Sequence, residues 1–204
     1  MSLTDRIAAA AARLTGMNTF PCVSGPRVRL RPPQIEDLEP IFRLFSDTRV
    51  VRYWSRPAMR TRAEAEAYVA SILEGFVQRE FINWIVAEPG SERMLGTCTL
   101  YDIQLRHLRC GVGYAVLPDE QGRGIASAAV AQAVRWAFEV LDLVRVEADI
   151  HPENTASGRV LMNNGFRAEA LLRQRFIHND ELQDSQIYAL LASEWQARPA
   201  ADAS

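Results

Sequence analysis

The sequence predicts an α/β (α+β) fold: a mixed, mostly antiparallel sheet with one parallel strand pair and helices on both faces. Two observations carry that prediction. Hydrophobic periodicity along the 204 residues runs in the order β-α-α-β-β-β-α-β-α-β-β. Within it, Arg109–Ile150 reads as strand, long helix, strand, and such a crossover requires its two strands to be parallel. The other strand-like runs are joined by short polar turns, which suit antiparallel pairing.

Each element has its own signal. Ile7 to Ala12 is alanine-rich and helix-prone, but Asp5, Arg6 and Arg13 interrupt it. It is too short to span a membrane and has no secretory core with a cleavage site. Residues 1–23 therefore read as an N-terminal arm, helical or loosely ordered, followed by one domain over 24–196 and a disordered tail over 197–204. Val28-Arg29-Leu30-Arg31 alternates as a short strand, and Pro32-Pro33 stops it. Leu38, Ile41, Phe42 and Phe45 then fall at helical spacing, in a helix starting near Gln34. A second helix spans Arg62 to Gln78, with Ala63, Ala67, Tyr68, Ile72 and Phe76 as its expected buried stripe. Strands follow at Asn83–Glu88, Leu95–Ile103 and Arg109–Val116. A helix is expected from Ser127 to about Val140, a strand over Arg145–Ile150, and a helix from Thr155 to Asn164. Strands near Arg167–Ile177 and Gln186–Leu191 end the pattern.

Composition bounds the partners. The chain is 48% hydrophobic and 24% charged, with a net charge of -2. It therefore lacks the broad basic field that drives nucleic-acid binding. No run is apolar enough for a membrane span. Cys22, Cys98 and Cys110 show no metal-type spacing, and His107, His151 and His178 are scattered. No metal site is expected. Cys98 and Cys110, on strands, read as reduced core thiols, and the cytoplasm is the compartment that fits.

The segment Asp119-Glu120-Gln121-Gly122-Arg123-Gly124-Ile125-Ala126-Ser127-Ala128 joins the strand ending at Val116 to the long helix. A helix N-terminus has unpaired N–H groups and carries roughly +0.5 of a charge. Two glycines ahead of it leave those groups open to a diphosphate. A P-loop would need Gly-x-x-x-x-Gly-Lys-Ser/Thr, and the chain contains no lysine. A Rossmann loop would place its glycines directly after the strand, whereas Leu117-Pro118-Asp119-Glu120 intervenes. The bland alternative is a tight turn with no ligand.

Gln121-x-x-Gly124-x-Ala126 resembles the Gln/Arg-x-x-Gly-x-Gly/Ala signature of the GNAT superfamily of acyl-CoA-dependent N-acetyltransferases. Asn154-Thr155-Ala156-Ser157 and Asn163-Asn164-Gly165-Phe166 resemble elements of its RimJ/RimL-like branch, as does Asp184 to Trp195, read as the last strand and its end. The likeness runs from about Arg27 to Trp195. It implies the GNAT fold, in which the two parallel strands splay apart around the pantetheine arm of CoA, with acetyl-CoA as co-substrate. Tyr114, Ala115 and Val116 match the backbone segment that holds the pantetheine and supports the oxyanion. Gln121, Gly122, Arg123, Gly124, Ile125, Ala126 and Ser127 match the pyrophosphate loop. Asn154 matches an asparagine contacting the pantetheine arm, although it would equally cap the following helix.

The acid–base positions depart from the family. The tyrosine that commonly protonates the leaving thiolate falls at Leu161, which makes Ser157 the candidate acid; a serine there would otherwise bond only to backbone. The glutamate of RimJ/RimL-like relatives falls at Gly111. Glu147, Asp149 and His151 are the substitutes, with Glu147 or Asp149 acting through a water as the hypothesis and ordinary strand polarity as the alternative. The implied reaction is acetyl transfer to a primary amine by direct attack in a ternary complex, the acceptor being a protein or peptide α-amine or a small molecule. Trp54, Arg56 and Phe176 are expected near the acceptor. A non-catalytic acyl-CoA-binding protein is the competing reading, favoured by Gly111 and Leu161, with a Rossmann-type nucleotide enzyme behind it. Relatives often form homodimers.

Overall fold

The computed structural model describes residues 1–54, 56–178 and 180–196 of the chain; the expected tail over 197–204 lies outside them. In chain order they form α1 (Leu3–Thr15), β1 (Val23–Ser24), β2 (Arg29–Arg31), α2 (Leu38–Ser46), α3 (Thr48–Val51), α4 (Arg62–Gln78), β3 (Ile82–Ala87), β4 (Met94–Gln104), β5 (Arg109–Val116), α5 (Ile125–Glu139), β6 (Arg145–Ile150), α6 (Thr155–Asn163), β7 (Arg167–His178), β8 (Glu181–Leu191) and α7 (Ala192–Gln196). One eight-stranded sheet has the order β1-β2-β3-β4-β5-β6-β8-β7. Its only parallel neighbours are β5 and β6, as the crossover through α5 requires. That pairing covers Arg109–Arg145, Cys110–Val146 and Gly111–Glu147 and goes no further. From Val112 onward β5 leaves β6, which continues along β8 to Ile150. The splay lies there.

The two sheet faces bury different residues. Trp84, Cys98, Cys110, Val112 and Val146 pack with Val130, Ala133 and Val134 of α5 on one face. Burial pushes the Cys98 thiol up to about 12 and raises Cys110 as well, so both stay protonated. Ile85 and Ala115 pack with Ile41, Phe45 and Ala65 of α2 and α4 on the other face. The α4 boundaries fall as expected, but its inward stripe differs: Ala63 and Ala67 are exposed, and Ala65, Ile72, Gly75 and Phe76 are buried. Ala65, Tyr68, Ile72 and Phe76 follow i, i+3, i+7, i+11, so the large side chains set the face and the small alanines follow it.

The N-terminal arm is a helix held against the body. Its Ala10 and Leu14 are buried, and Arg6 makes a two-pronged ion pair with Asp142 at 2.8 and 2.9 Å. Ser2 and Asp5 close its start as a capping box. The segment after it is fixed by the Trp84 indole N–H donating to the Pro21 carbonyl at 2.8 Å. At the other end, β8 stops at Leu191, where the last strand was expected to end, but begins earlier, at Glu181, and Ala192–Gln196 is a helical turn. Among the described residues, no helix is long and apolar enough to cross a membrane.

Candidate active site

The glycine loop leaves the end of β5 and starts α5. Gly122 and Gly124 have φ of 75° and 76°, the left-handed region that costs an L side chain roughly 1–2 kcal/mol. A Cβ on Gly122 would meet nothing within 4 Å, so the space above that turn is open. Gly124 is the N-cap of α5, and no side chain caps that end. The first-turn N–H groups of Ile125, Ala126 and Ser127 thus emerge bare, the arrangement that accepts a diphosphate.

Arginines surround this end, with unequal freedom. Arg123 is bonded to Glu120, which also takes Arg93 at 2.6 Å. Arg27 donates to the Arg123 carbonyl at 3.2 Å, and its guanidinium lies 3.6 Å from where a Gly124 Cβ would be. These groups line a cavity of about 340 Å³ with Leu95 and Ile125. Arg27 was not among the loop residues foreseen; it stands 96 positions before Arg123, and no local pattern links them. Gln121 is turned inward and donates to the Val116 carbonyl at 3.2 Å, tying the loop to the end of β5. Ser127 accepts a bond from Asn164 at 3.0 Å, fixing α5 against α6.

Below the splay, alternate residues of β5 form a floor facing α2 and α4. Gly111, Gly113 and Ala115 lie on that face, opposite Tyr101, Thr99 and Thr97 of β4. The floor is bare for a reason. A Cβ on Gly111 would stand 2.5 Å from the Tyr101 ring. The Tyr101 hydroxyl reaches the Asp149 backbone on β6, and burial pushes this phenol up to about 12. Tyr101 therefore fills the space that a carboxylate at Gly111 would need, a contact that pattern reasoning missed because it spans two strands.

The sequence-chosen acid–base residues divide. Glu147 is bound by Arg109 at 2.9 Å and Arg145 at 2.6 Å. Asp149, on the floor side beside Tyr101, is bonded to Ser185 and to Arg175 at 3.0 Å. His151 Nδ1 accepts the Glu153 N–H at 3.1 Å, which places the imidazole proton on Nε2, 2.7 Å from Gln183 Oε1. His151, Arg52, Tyr53, Glu153, Phe176 and Glu181 line a cleft of about 360 Å³ beyond the open ends of the splayed strands. Trp54 and Arg56, expected near the acceptor, do not line this cleft; they lie against Phe45 and Tyr68, on the floor side of the sheet.

At the start of α6, Asn154 caps the helix, its Oδ1 accepting the Ser157 N–H at 3.2 Å. The Ser157 carbonyl takes the Tyr114 hydroxyl at 3.0 Å, a phenol raised by its burial. The half-buried Ser157 hydroxyl lies within hydrogen-bonding reach of the Tyr114 phenol. Leu161 is fully buried in the core. The arrangement brings together an uncapped helix N-terminus, a gap between parallel strands, a serine hydroxyl at one side, and carboxylates at the other.

Comparison with known proteins is consistent with this layout. Residues 27–167 match the acetyltransferase (GNAT) domain family. The uncharacterized N-acetyltransferase YoaA of Bacillus subtilis is 28% identical over 84% of this chain and 97% of its own. The spermidine N(1)-acetyltransferase of Escherichia coli K12 is 26% identical over 79% of this chain and 84% of its own. Among solved structures, Mycobacterium smegmatis RimJ in complex with CoA-disulfide superposes with a TM-score of 0.78 at 23% identity, covering 86% of this chain and 89% of that one.

Proposed function

This chain belongs to the GNAT acetyltransferase family, and from that premise we propose that it transfers an acetyl group from acetyl-CoA to a primary amine by direct attack within a ternary complex. The observation that carries the reading is the bare N-terminus of α5, opened by two left-handed glycines at the mouth of strands that part after Gly111 and Glu147. The thioester brings an activated acetyl group. What the protein adds is mostly placement, which is worth up to roughly 7–11 kcal/mol.

Each group then has a role. The N–H groups of Ile125, Ala126 and Ser127, beside Gly122 and Gly124, hold the diphosphate, and Arg27 with Arg123 adds charge. The splayed backbone of Tyr114, Ala115 and Val116 holds the pantetheine arm and donates to the carbonyl oxygen as it gains charge. Gln121 supports this geometry by holding Val116, and Asn154 does so by setting the first turn of α6. The amine nitrogen attacks the acetyl carbon, the C–S bond breaks, and the leaving sulfur takes a proton by way of the Ser157 hydroxyl, which is itself reprotonated from water. Asp149 takes the amine proton through a water. Glu147, held by two arginines, serves structure.

The acceptor enters through the cleft of Tyr53, His151, Glu153, Phe176 and Glu181, whose carboxylates attract an ammonium group. A small amine acceptor is supported by this cleft and by the spermidine-acetylating relative. A protein N-terminus is supported by the RimJ neighbour and the RimJ/RimL-like motifs. Residues 24–196 would be the catalytic unit, working in the cytoplasm, alone or as a homodimer.

Thiol release from acetyl-CoA over a panel of amines and short peptides tests the proposal. Acceptor-dependent release is expected. Saturable acetyl-CoA binding with no release on any acceptor would instead establish the non-catalytic binder.

A further inference from the structure

The floor-facing side of the sheet carries one cation that the proposed chemistry does not use. Arg56, in the irregular connection between α3 and α4, lies with its guanidinium 4.6 Å from the Phe45 ring centre, 4.5 Å from Tyr68 and 5.9 Å from Trp54. Its Nε and Nη2 are sealed from water and have no hydrogen-bond partner. Beside it, Tyr68 accepts the Asn83 amide at 2.7 Å and lies within hydrogen-bonding reach of the Thr97 hydroxyl, while Asn83 Oδ1 is also buried without a partner. Unpaired buried donors and acceptors cost about 1–3 kcal/mol each and are rare in folded proteins. Aromatic faces compensate a desolvated guanidinium only in part.

Position gives this cluster a meaning. Thr97 sits directly across from Ala115, the expected thioester-holding residue on β5. Asn83 is one strand further, on β3, opposite Thr99. Neighbouring strands are about 4.8 Å apart, so Thr97 and Asn83 begin within roughly one or two strand spacings of the expected reacting carbonyl. The guanidinium already fills the ring cage, which leaves that end of the site no room for a second cation. For the Arg56 N–H groups an anion meets the need, since a carboxylate can accept them bidentately; the orphan Asn83 Oδ1 is an acceptor and calls for a donor instead.

We propose that Arg56 is the specificity-determining contact for a carboxylate on the acceptor, with the Thr97 hydroxyl beside it as a further donor. The acceptor is then an amino acid or another short amine that carries a carboxylate, with its amine at the thioester and its acid end on Arg56. This rests on the acetyltransferase reading above and narrows its acceptor. The guanidinium reaches the carboxylate by turning about its aliphatic stem, and the aromatic rings keep water out.

The test compares α- and ω-amino acids with their own carboxamides and decarboxylated amines. Binding to the protein saturated with CoA is followed by calorimetry, and turnover with acetyl-CoA by thiol release. The free acids should bind and react better than their neutral counterparts. Arg56→Met should remove that preference, raising KM for the acids about 30-fold or more with a smaller change in kcat, while Arg56→Lys should retain part of it. A wild-type protein that treats acid and amide alike in both readouts overturns the proposal. So does an Arg56→Met variant that weakens both alike with a lowered melting temperature, which would make Arg56 a packing residue. Were no acceptor turned over, the acetyltransferase reading would fail by itself, and the calorimetric comparison would still decide the carboxylate contact.

Discussion

At the scale of single residues, the site depends on positions with no side chain, and each has a different reason to be bare. Gly122 and Gly124 are needed for conformation and access. Replacing both with valine places two β-branched side chains in the left-handed region and covers the first N–H groups of α5. Acetyl-CoA affinity, measured by calorimetry, should fall at least about tenfold, since two such strained residues cost roughly 1–2 kcal/mol each. Gly111 is bare because of a neighbour. A glutamate there, the residue that the RimJ/RimL-like resemblance led one to expect, would meet the Tyr101 ring and should lower stability by about 1–3 kcal/mol. Tyr101→Ala removes the obstruction, so the pair Gly111→Glu and Tyr101→Ala should be less destabilised in urea than the sum of the singles. Strict additivity would show that the ring does not claim that space. Ser157→Ala should lower kcat and leave acetyl-CoA binding unchanged, by about tenfold rather than the usual 10²–10⁴ for an acid–base group, because a thiol of pKa near 8.5 leaves tolerably unaided. An unaltered kcat would remove Ser157 from the chemistry.

At the scale of elements, what the sequence made legible was whatever a single segment encodes. The α4 boundaries fall where expected, Arg62 to Gln78, and so do those of β5 and β6, because Thr61 starts the helix and apolar runs define the strands. β1, with two residues, and α3, with four, were not foreseen: elements so short have no period to detect and are set by what they pack on. The N-terminal helix shows the same limit. Its alanine content predicted helicity, but the burial of Leu14 and the Arg6–Asp142 pair connect residues more than a hundred positions apart. The structure makes this helix part of the body, so Leu14→Ala should cost about 2–3 kcal/mol and lower the melting temperature by roughly 4–12 °C. A melting temperature unchanged by L14A would mean that the helix contributes nothing to the cooperative unit.

At the scale of the whole molecule, the crossover from Arg109 to Ile150 was enough to place one parallel pair in an otherwise antiparallel sheet, since handedness and connection length leave few alternatives. That those strands part was expected only from family likeness; the ring of Tyr101 lies beside Gly111, where their pairing ends, and its hydroxyl reaches the Asp149 backbone. The same long-range wiring predicts how the fold responds to acid. Asp142 is held below the usual carboxylate range by hydrogen bonds from Arg6, and Asp47 is lowered to about 2 by hydrogen bonds from Arg49. Backbone N–H groups of Arg60 and Thr61 lower Glu64, and Arg145 lowers Glu169. A carboxyl whose pKa is depressed in the folded state stabilises it fully above the ordinary unfolded value, and that contribution is lost as pH falls through the folded value. Arg6–Asp142 fastens α1 to the body and Arg145–Glu169 ties β6 to β7, while Asp47 and Glu64 cap the starts of α3 and α4, so protonation loosens several elements together. The melting temperature should therefore stay nearly level from pH 7 to about 5 and fall steeply between about 4 and 2. Asp142→Asn should start lower at pH 7 and lose part of that slope, because its interaction with Arg6 no longer depends on protonation. A wild-type curve level down to pH 2, or an Asp142→Asn curve as steep as the wild type, would show that these carboxylates do not govern acid stability.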